Sequence, residues 1–424
     1  MTHVLVMGLP LVAGLALALL AERGRWAPPL AVALAVGAAL RVTVMLIAAQ
    51  DTFQPYDLDE DFRSTADTVL DGRDPLFYLR EGGWHFLPML AYLLAGVRYL
   101  SELVGLPWEV AGRVVPVLAD LALVPLVAKL SSDPSSRVRA LRSFQYACAP
   151  VVLMVSALHG QFAPITLALG AAALLAARGG RAHLAGVLIG MSVTSASWSV
   201  LLLPGVLLTL PALRQRIMVL VWTAAVPLAF LLSSVPLLGT PAGRLRESLS
   251  ASMGTRPVAG DWGWSAVVTG GDQVVSPGYG TVGTPLLAVA LLAAAWWWRR
   301  ADPVSLTLAL LLVFLIVTYR FGTQYLAWPV PYLLMRSTSR GALPVIAVSG
   351  VWAAFGYLYM SRLEPVAWRE AHVWWALSSL LVIALLVYAL PGRRRDGGDS
   401  PSDTSGQGRG WTVMSRNSTS ASSV

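Results

Sequence analysis

Nine of the chain's 23 acidic residues fall within residues 51–81: Asp51, Asp57, Asp59, Glu60, Asp61, Asp67, Asp71, Asp74 and Glu81. A loop that only joins two hydrophobic runs needs no such cluster. The segment also carries Phe62, Phe77, Tyr78, Trp84 and Phe86, which suit a folded cap. Carboxylates on a cap can take protons from a substrate hydroxyl; the alternative is a solvated loop with its acids in water. Asp57 and Asp61 stand four apart and would share one face of a helix. Further along, His159 and Gln161 offer an imidazole and an amide, either for a sugar or phosphate or for a hydrogen-bond network at a helix end. Arg320 lies just before Gln324 and Tyr325; its guanidinium either grips a phosphate with two donors or snorkels to an interface. Trp262 and Trp264 have flat apolar faces that stack on sugars or anchor a chain at a membrane surface.

The elements that must position these groups are membrane spans. Of 424 residues, 56% are hydrophobic and 13% charged, half of the roughly 25% charge typical of soluble proteins. The mean hydropathy is +0.64. Runs such as Ala27 to Ala49, Pro107 to Leu130, Ile217 to Leu238 and Val373 to Leu390 are each near the roughly 20 residues that cross a hydrocarbon core. The first run, Val4 to Leu20, has no basic residue ahead of it and is expected to be a span, not a cleaved signal. The expected fold is an all-α polytopic membrane protein with about thirteen transmembrane helices.

The net charge of +8 does not point to nucleic acid, because the arginines sit in short loops between runs, where they set orientation in a membrane. Cys148 is the only cysteine, which excludes disulfides within the chain and cysteine metal clusters. No metal-ligand set is read from the chain, and a requirement for a divalent cation stays open.

With Arg23 and Arg25 inside, Gln50 onward is external. If Phe86 to Val104 then crossed the bilayer, Arg137, Arg139 and Arg142 would lie outside. Treated instead as a helix on the outer face, that segment lets every later arginine loop, through Arg393 to Arg395, fall inside. Residues 1–390 then form the membrane domain, with external loops at 50–107 and 239–283. Residues 391–424, poor in apolar side chains, are expected to be a disordered cytoplasmic tail. The expected location is a bacterial plasma (inner) membrane.

The stretch from Asp61-Phe62 to Pro75, followed by Phe86-Leu-Pro88, resembles the first external loop of GT-C glycosyltransferases that use polyprenyl-phosphate sugars. His159-Gly-Gln-Phe162 resembles that family's His-Gly-Gln-Phe-Asp turn. Trp198 to Pro204 resembles its Trp-Pro stretch, and Gln324-Tyr-Leu-Ala-Trp-Pro329 its Gln-Tyr-Leu-x-Trp element. The likeness covers about Arg41 to Leu334. It implies a GT-C-like fold and transfer of a sugar, a mannose-like hexose, from a polyprenyl-phosphate donor to an envelope glycan or glycolipid acceptor on the external face. It places the catalytic base on Asp61, with Asp57 and Asp59 as alternates, because such a donor already has a good leaving group and an inverting transferase needs a base and a cation. It assigns Arg320, His159, Gln161, Gln324, Tyr325, Trp262 and Trp264 to donor phosphate and sugar. Two positions depart from the pattern: the family's acid after His-Gly-Gln-Phe is Ala163 here, and its lysine before Trp-Pro is Ser195 or Ala196. The competing class is an inactive scaffold or a lipid or solute transporter, for which Asp120 is the one clear mid-membrane charge.

Overall fold

The computed structural model describes residues 2–79, 84–252, 262–270, 277–320, 322–336 and 342–392. Among them every regular element is helical. Seven helices are long and apolar enough to cross a bilayer, or eight if the bent pair Ser136–Ala147 and Pro150–His159 is one span. The expectation of about thirteen full spans is met only in part. Four more apolar helices, Ala163–Arg178, Ala182–Ser195, Ser197–Thr209 and Pro303–Val317, are shorter than the roughly 20 residues a bilayer core requires. They stop early because the backbone turns extended, at Ala196 after one and at Thr318 after another. The helix Pro88–Val104, with 17 residues, is shorter than the spanning helices.

Burial separates the helices by environment. Pro303–Val317 is apolar all round and buries Val304 through Leu312, as a central helix must. Leu213–Leu238 and Gly280–Trp297 instead expose Leu213, Val221, Leu237, Val282, Val289 and Leu292. Apolar faces of this extent are stable against lipid and not against water, so the protein is a multi-pass membrane protein. Proline at the first turn starts several helices where its missing N–H costs nothing, as at Pro88, Pro303 and Pro365.

The bent pair turns by 47° at Cys148 and Ala149, just before Pro150, whose ring and lost N–H interrupt helical bonding. Arg41, on the helix Leu30–Ala49, fills that break: its Nη1 donates to the Ala147 carbonyl at 2.8 Å and to the Gly37 carbonyl at 3.0 Å. A Cβ on Gly37 would come within 3.1 Å of the Ala147 Cβ, so a glycine is what allows the approach. Asp120, which the sequence singles out as a mid-membrane acid, accepts from Arg41, Tyr146 and Ser156.

The segment expected to be external is a folded cap with its own core. A π-helical turn, Asp57–Phe62, runs into the helix Arg63–Leu70, and Pro88–Val104 packs across them. Leu58, Phe62, Ala66, Trp84, Leu90 and Leu94 form that core with Trp108 and Phe162 of the membrane bundle. Arg98 on the outer side pairs with Asp67 at 2.8 Å and with Glu102 at 2.8 Å. Several of the cluster's acids are therefore structural: Asp74 caps the turn Pro75–Tyr78 and accepts from Thr240, and Asp51 pairs with Arg362. One compact unit spans Met1–Gly392. The expected tail lies outside the described residues from 393 onward, as do residues 253–261 and 271–276 of the second external loop and Arg80 to Gly83 of the first.

Candidate functional site

All four residues of the His159–Phe162 turn grip the π-helical turn of the cap. His159 Nε2 lies 3.2 Å from Asp57 Oδ2, and the Gln161 amide donates to the same oxygen. Gly160 has a φ of 75°, in the left-handed region, and a Cβ there would meet Leu58 Cδ1 at 3.1 Å. Leu58 is thus seated against the turn, and its carbonyl accepts from Trp108 Nε1 at 2.9 Å. Phe162 packs on Phe62 with ring centroids 4.2 Å apart. The motif is a clasp for the cap, which sets where Asp57 and Asp61 stand.

The three candidate carboxylates have separate environments. Asp59 turns outward to a loose pair with Arg63 at 3.6 Å, both side chains more than two-fifths exposed, and is not part of the cavity wall. Asp57 and Asp61 share a face and both line the cavity. Burial pushes the Asp61 carboxyl up to about 7, and the nearby charges of Asp57 and Glu60 add to the rise. Burial also works to raise Asp57, but the hydrogen bond and charge of His159, the charge of His85 and the Gln161 bond overcome it and hold its carboxyl below the ordinary value. Two acids one turn apart are driven in opposite directions.

The cavity holds about 640 Å³, within the range of small-molecule sites. One side is the cap, with Asp57, Asp61, His85 and Phe86. Arg320, Gln324 and Tyr325 line the cavity as well. Arg320 follows the extended end of Pro303–Val317, and its backbone N–H is fixed by Thr318 Oγ1 at 3.2 Å. The aromatic wall is Trp198, which stacks on Trp328 with centroids 3.7 Å apart and planes 10° from parallel, and Tyr325, whose ring is 4.3 Å from Trp328. Ala163, Ser195 and Ala196, where the resembled pattern has an acid and a lysine, also face this cavity. Arg320 is the one Arg or Lys among the described residues that line it.

Three expectations need correction. Trp262 does not offer a face to a ligand: it is fully buried, 5.2 Å edge-on to Trp352, because it belongs to the main apolar core. Trp264 lies away from the cavity wall, with its indole N–H committed to the Val317 carbonyl at 2.9 Å. His159 does not line the cavity either; it is buried behind Asp57, with Nδ1 held 2.8 Å from the Tyr357 hydroxyl. Gln161, Arg320, Gln324 and Tyr325 line the same cavity as Asp61. His85, Trp198, Trp328 and Tyr357 were not singled out as site residues. For the two tryptophans the only sequence signal was their place within the quoted motifs; for Tyr357 there was none. Among the described residues no three His, Cys, Asp or Glu side chains are grouped to hold a metal ion. No protein-family model matches the chain, and no curated protein matches it in sequence.

Proposed function

We propose that the protein is a membrane glycosyltransferase of GT-C type that moves a sugar, a mannose-like hexose, from a polyprenyl-phosphate donor to an envelope glycan or glycolipid. One observation carries the reading. A carboxyl titrating near neutrality and a guanidinium, contributed by segments more than 250 residues apart, line one cavity with an aromatic wall. In this mechanism Asp61 takes the proton of the acceptor hydroxyl, whose oxygen attacks the anomeric carbon. The bond from that carbon to the phosphate breaks, and its electron pair leaves on the phosphate, which Arg320 binds. Trp198 and Tyr325 provide flat faces for the sugar. Gln324 donates or accepts at its hydroxyls.

In the same reading the broken and shorter helices complete about thirteen crossings of a bacterial inner membrane, the cavity opens on the external side, and the tail is cytoplasmic. The transporter alternative calls for ionisable residues at mid-membrane depth and broken helices; the acid it rests on, Asp120, is held by Arg41, Tyr146 and Ser156 and is not among the residues that line the cavity. The test is to supply purified protein in liposomes with a radiolabelled polyprenyl-phosphate hexose and an envelope glycolipid extract. Labelled glycolipid is the expected product. Donor left unconsumed with every acceptor fraction would remove the reading.

A further inference from the structure

Resting on the transferase reading, we infer that Asp57 is a second catalytic carboxylate, a fixed anion beside the sugar ring that stabilises the positive charge developing there, with His159 and Tyr357 as its positioning residues. The geometry comes first. Asp57 lines the cavity, and its side chain is one-third exposed. Both hydrogen bonds that hold it, from His159 Nε2 and from Gln161, fall on Oδ2, which leaves Oδ1 for the cavity. Behind it, the Tyr357 hydroxyl lies 2.8 Å from His159 Nδ1 and holds the ring with Nε2 toward Asp57. A chain from the helix Ala342–Leu358 through the clasp thus ends on one carboxylate oxygen.

The chemistry gives that anion a task distinct from the base. As the anomeric carbon separates from the phosphate oxygen, positive charge spreads over the carbon and the ring oxygen. A neutral sugar in the ground state gains little from a nearby carboxylate, and the donor phosphate is repelled by it. The interaction therefore grows mainly in the transition state. Asp57 exchanges no proton: the acceptor's proton goes to Asp61, and the bonding electrons leave with the phosphate. The groups facing Asp57 are His159 and Gln161 from the clasp, His85 from the loop above, and Asp61 on its own turn, with Glu60 acting on Asp61. Their net effect keeps Asp57 ionised while Asp61 protonates near neutrality, the separation that assigns two acids two roles.

The experiment compares wild type, Asp57→Asn and Tyr357→Phe with a polyprenyl-phosphate hexose as donor. Asp57→Asn keeps an oxygen for His159 and Gln161, so the cap stays clasped. Its kcat is expected to fall by about a hundredfold or more with donor KM unchanged or lowered, and the acidic limb of its rate profile to move to lower pH as Asp61 loses a neighbouring charge. Tyr357→Phe is expected to lose about tenfold in kcat with KM unchanged, and it serves alone if Asp57→Asn fails to assemble. An active wild type with kcat retained in both variants, or with losses confined to KM, overturns the inference and leaves the transferase reading standing. If the wild type consumes no donor, the transferase reading falls, and with it the inferred role. A protonated piperidine iminosugar then shows whether any anionic subsite exists, by binding about tenfold more weakly to Asp57→Asn or equally to both.

Discussion

Arg41 Nε donates to Asp120 Oδ2 at 2.7 Å between the helices Leu30–Ala49 and Trp108–Leu130, and neither side chain has any exposed surface. Two opposite charges at this depth cancel at close range, and Tyr146 and Ser156 occupy the remaining carboxylate sites. The pair also closes the helix break at Pro150, so one ion pair serves both charge balance and a backbone carbonyl.

Arg41→Met leaves Asp120 buried without its cation and is expected to lower stability by about 3–5 kcal/mol, read from thermal unfolding in detergent. Arg41→Met combined with Asp120→Leu is expected to lose less than either single change, since no charge then remains unpaired. A double variant as unstable as the sum of its parts would contradict this account.

Asp61→Asn is expected to reduce transfer by about a hundredfold or more while the protein assembles normally. In the wild type the base acts when ionised, so the rate should rise with pH through about 7 and level off above it. The stability sign is opposite. Because folding raises the Asp61 carboxyl above its ordinary 3.8, the folded state holds the proton more tightly, and stability falls as pH climbs from near 4 through about 7. Asp61→Asn removes that slope, so its unfolding midpoint at pH 8 should equal or exceed that of the wild type.

Arg320→Gln is expected to raise donor KM by about tenfold or more, because an amide replaces a charged fork on the phosphate. Arg320→Lys should recover part of the loss as a point charge. The comparison needs only initial rates at varied donor; unchanged KM in both would take the phosphate away from this residue.

Trp198→Ala is expected to raise KM by roughly three- to tenfold, and Trp198→Phe by less, as a stacking surface would. Trp262→Phe, deep in the apolar core, should lower the unfolding midpoint and leave KM alone.

Single cysteines at Tyr56 and Leu106, both exposed, are expected to label from the same side of the membrane if, as the arginine loops require, the helix Pro88–Val104 between them does not cross. Cys148 is buried and adds little background. Labelling from opposite sides would reverse the threading.

Much of the architecture was present in local sequence. Leu30–Ala49 and Trp108–Leu130 begin and end within a few residues of the apolar runs that announced them, because a span must be apolar along its whole length and prolines or polar residues mark its ends. Pro88–Val104 begins within two residues of the apolar run at Phe86 that announced it, because Pro88 starts the helix at its first turn. The shorter helices fall below full span length because the backbone turns extended, as at Ala196 and Thr318, which hydropathy does not register.

The site divides along the same line. Residue type and spacing marked Asp57, Asp61, Gln161 and Arg320 as chemically apt, and four-residue spacing put the two acids on one face. Only tertiary contacts decided that Asp57 is clasped by His159 and Gln161, that Asp59 faces outward, that Tyr357 stands behind the imidazole and that Trp262 belongs to the core. The physical reason is range. Hydrophobic periodicity and turn preferences act over a few residues and are written in local sequence. A carboxylate's ionisation depends on burial and on charges within a few ångströms, and for Asp57 those neighbours include His159 and Gln161, about 100 residues away along the chain.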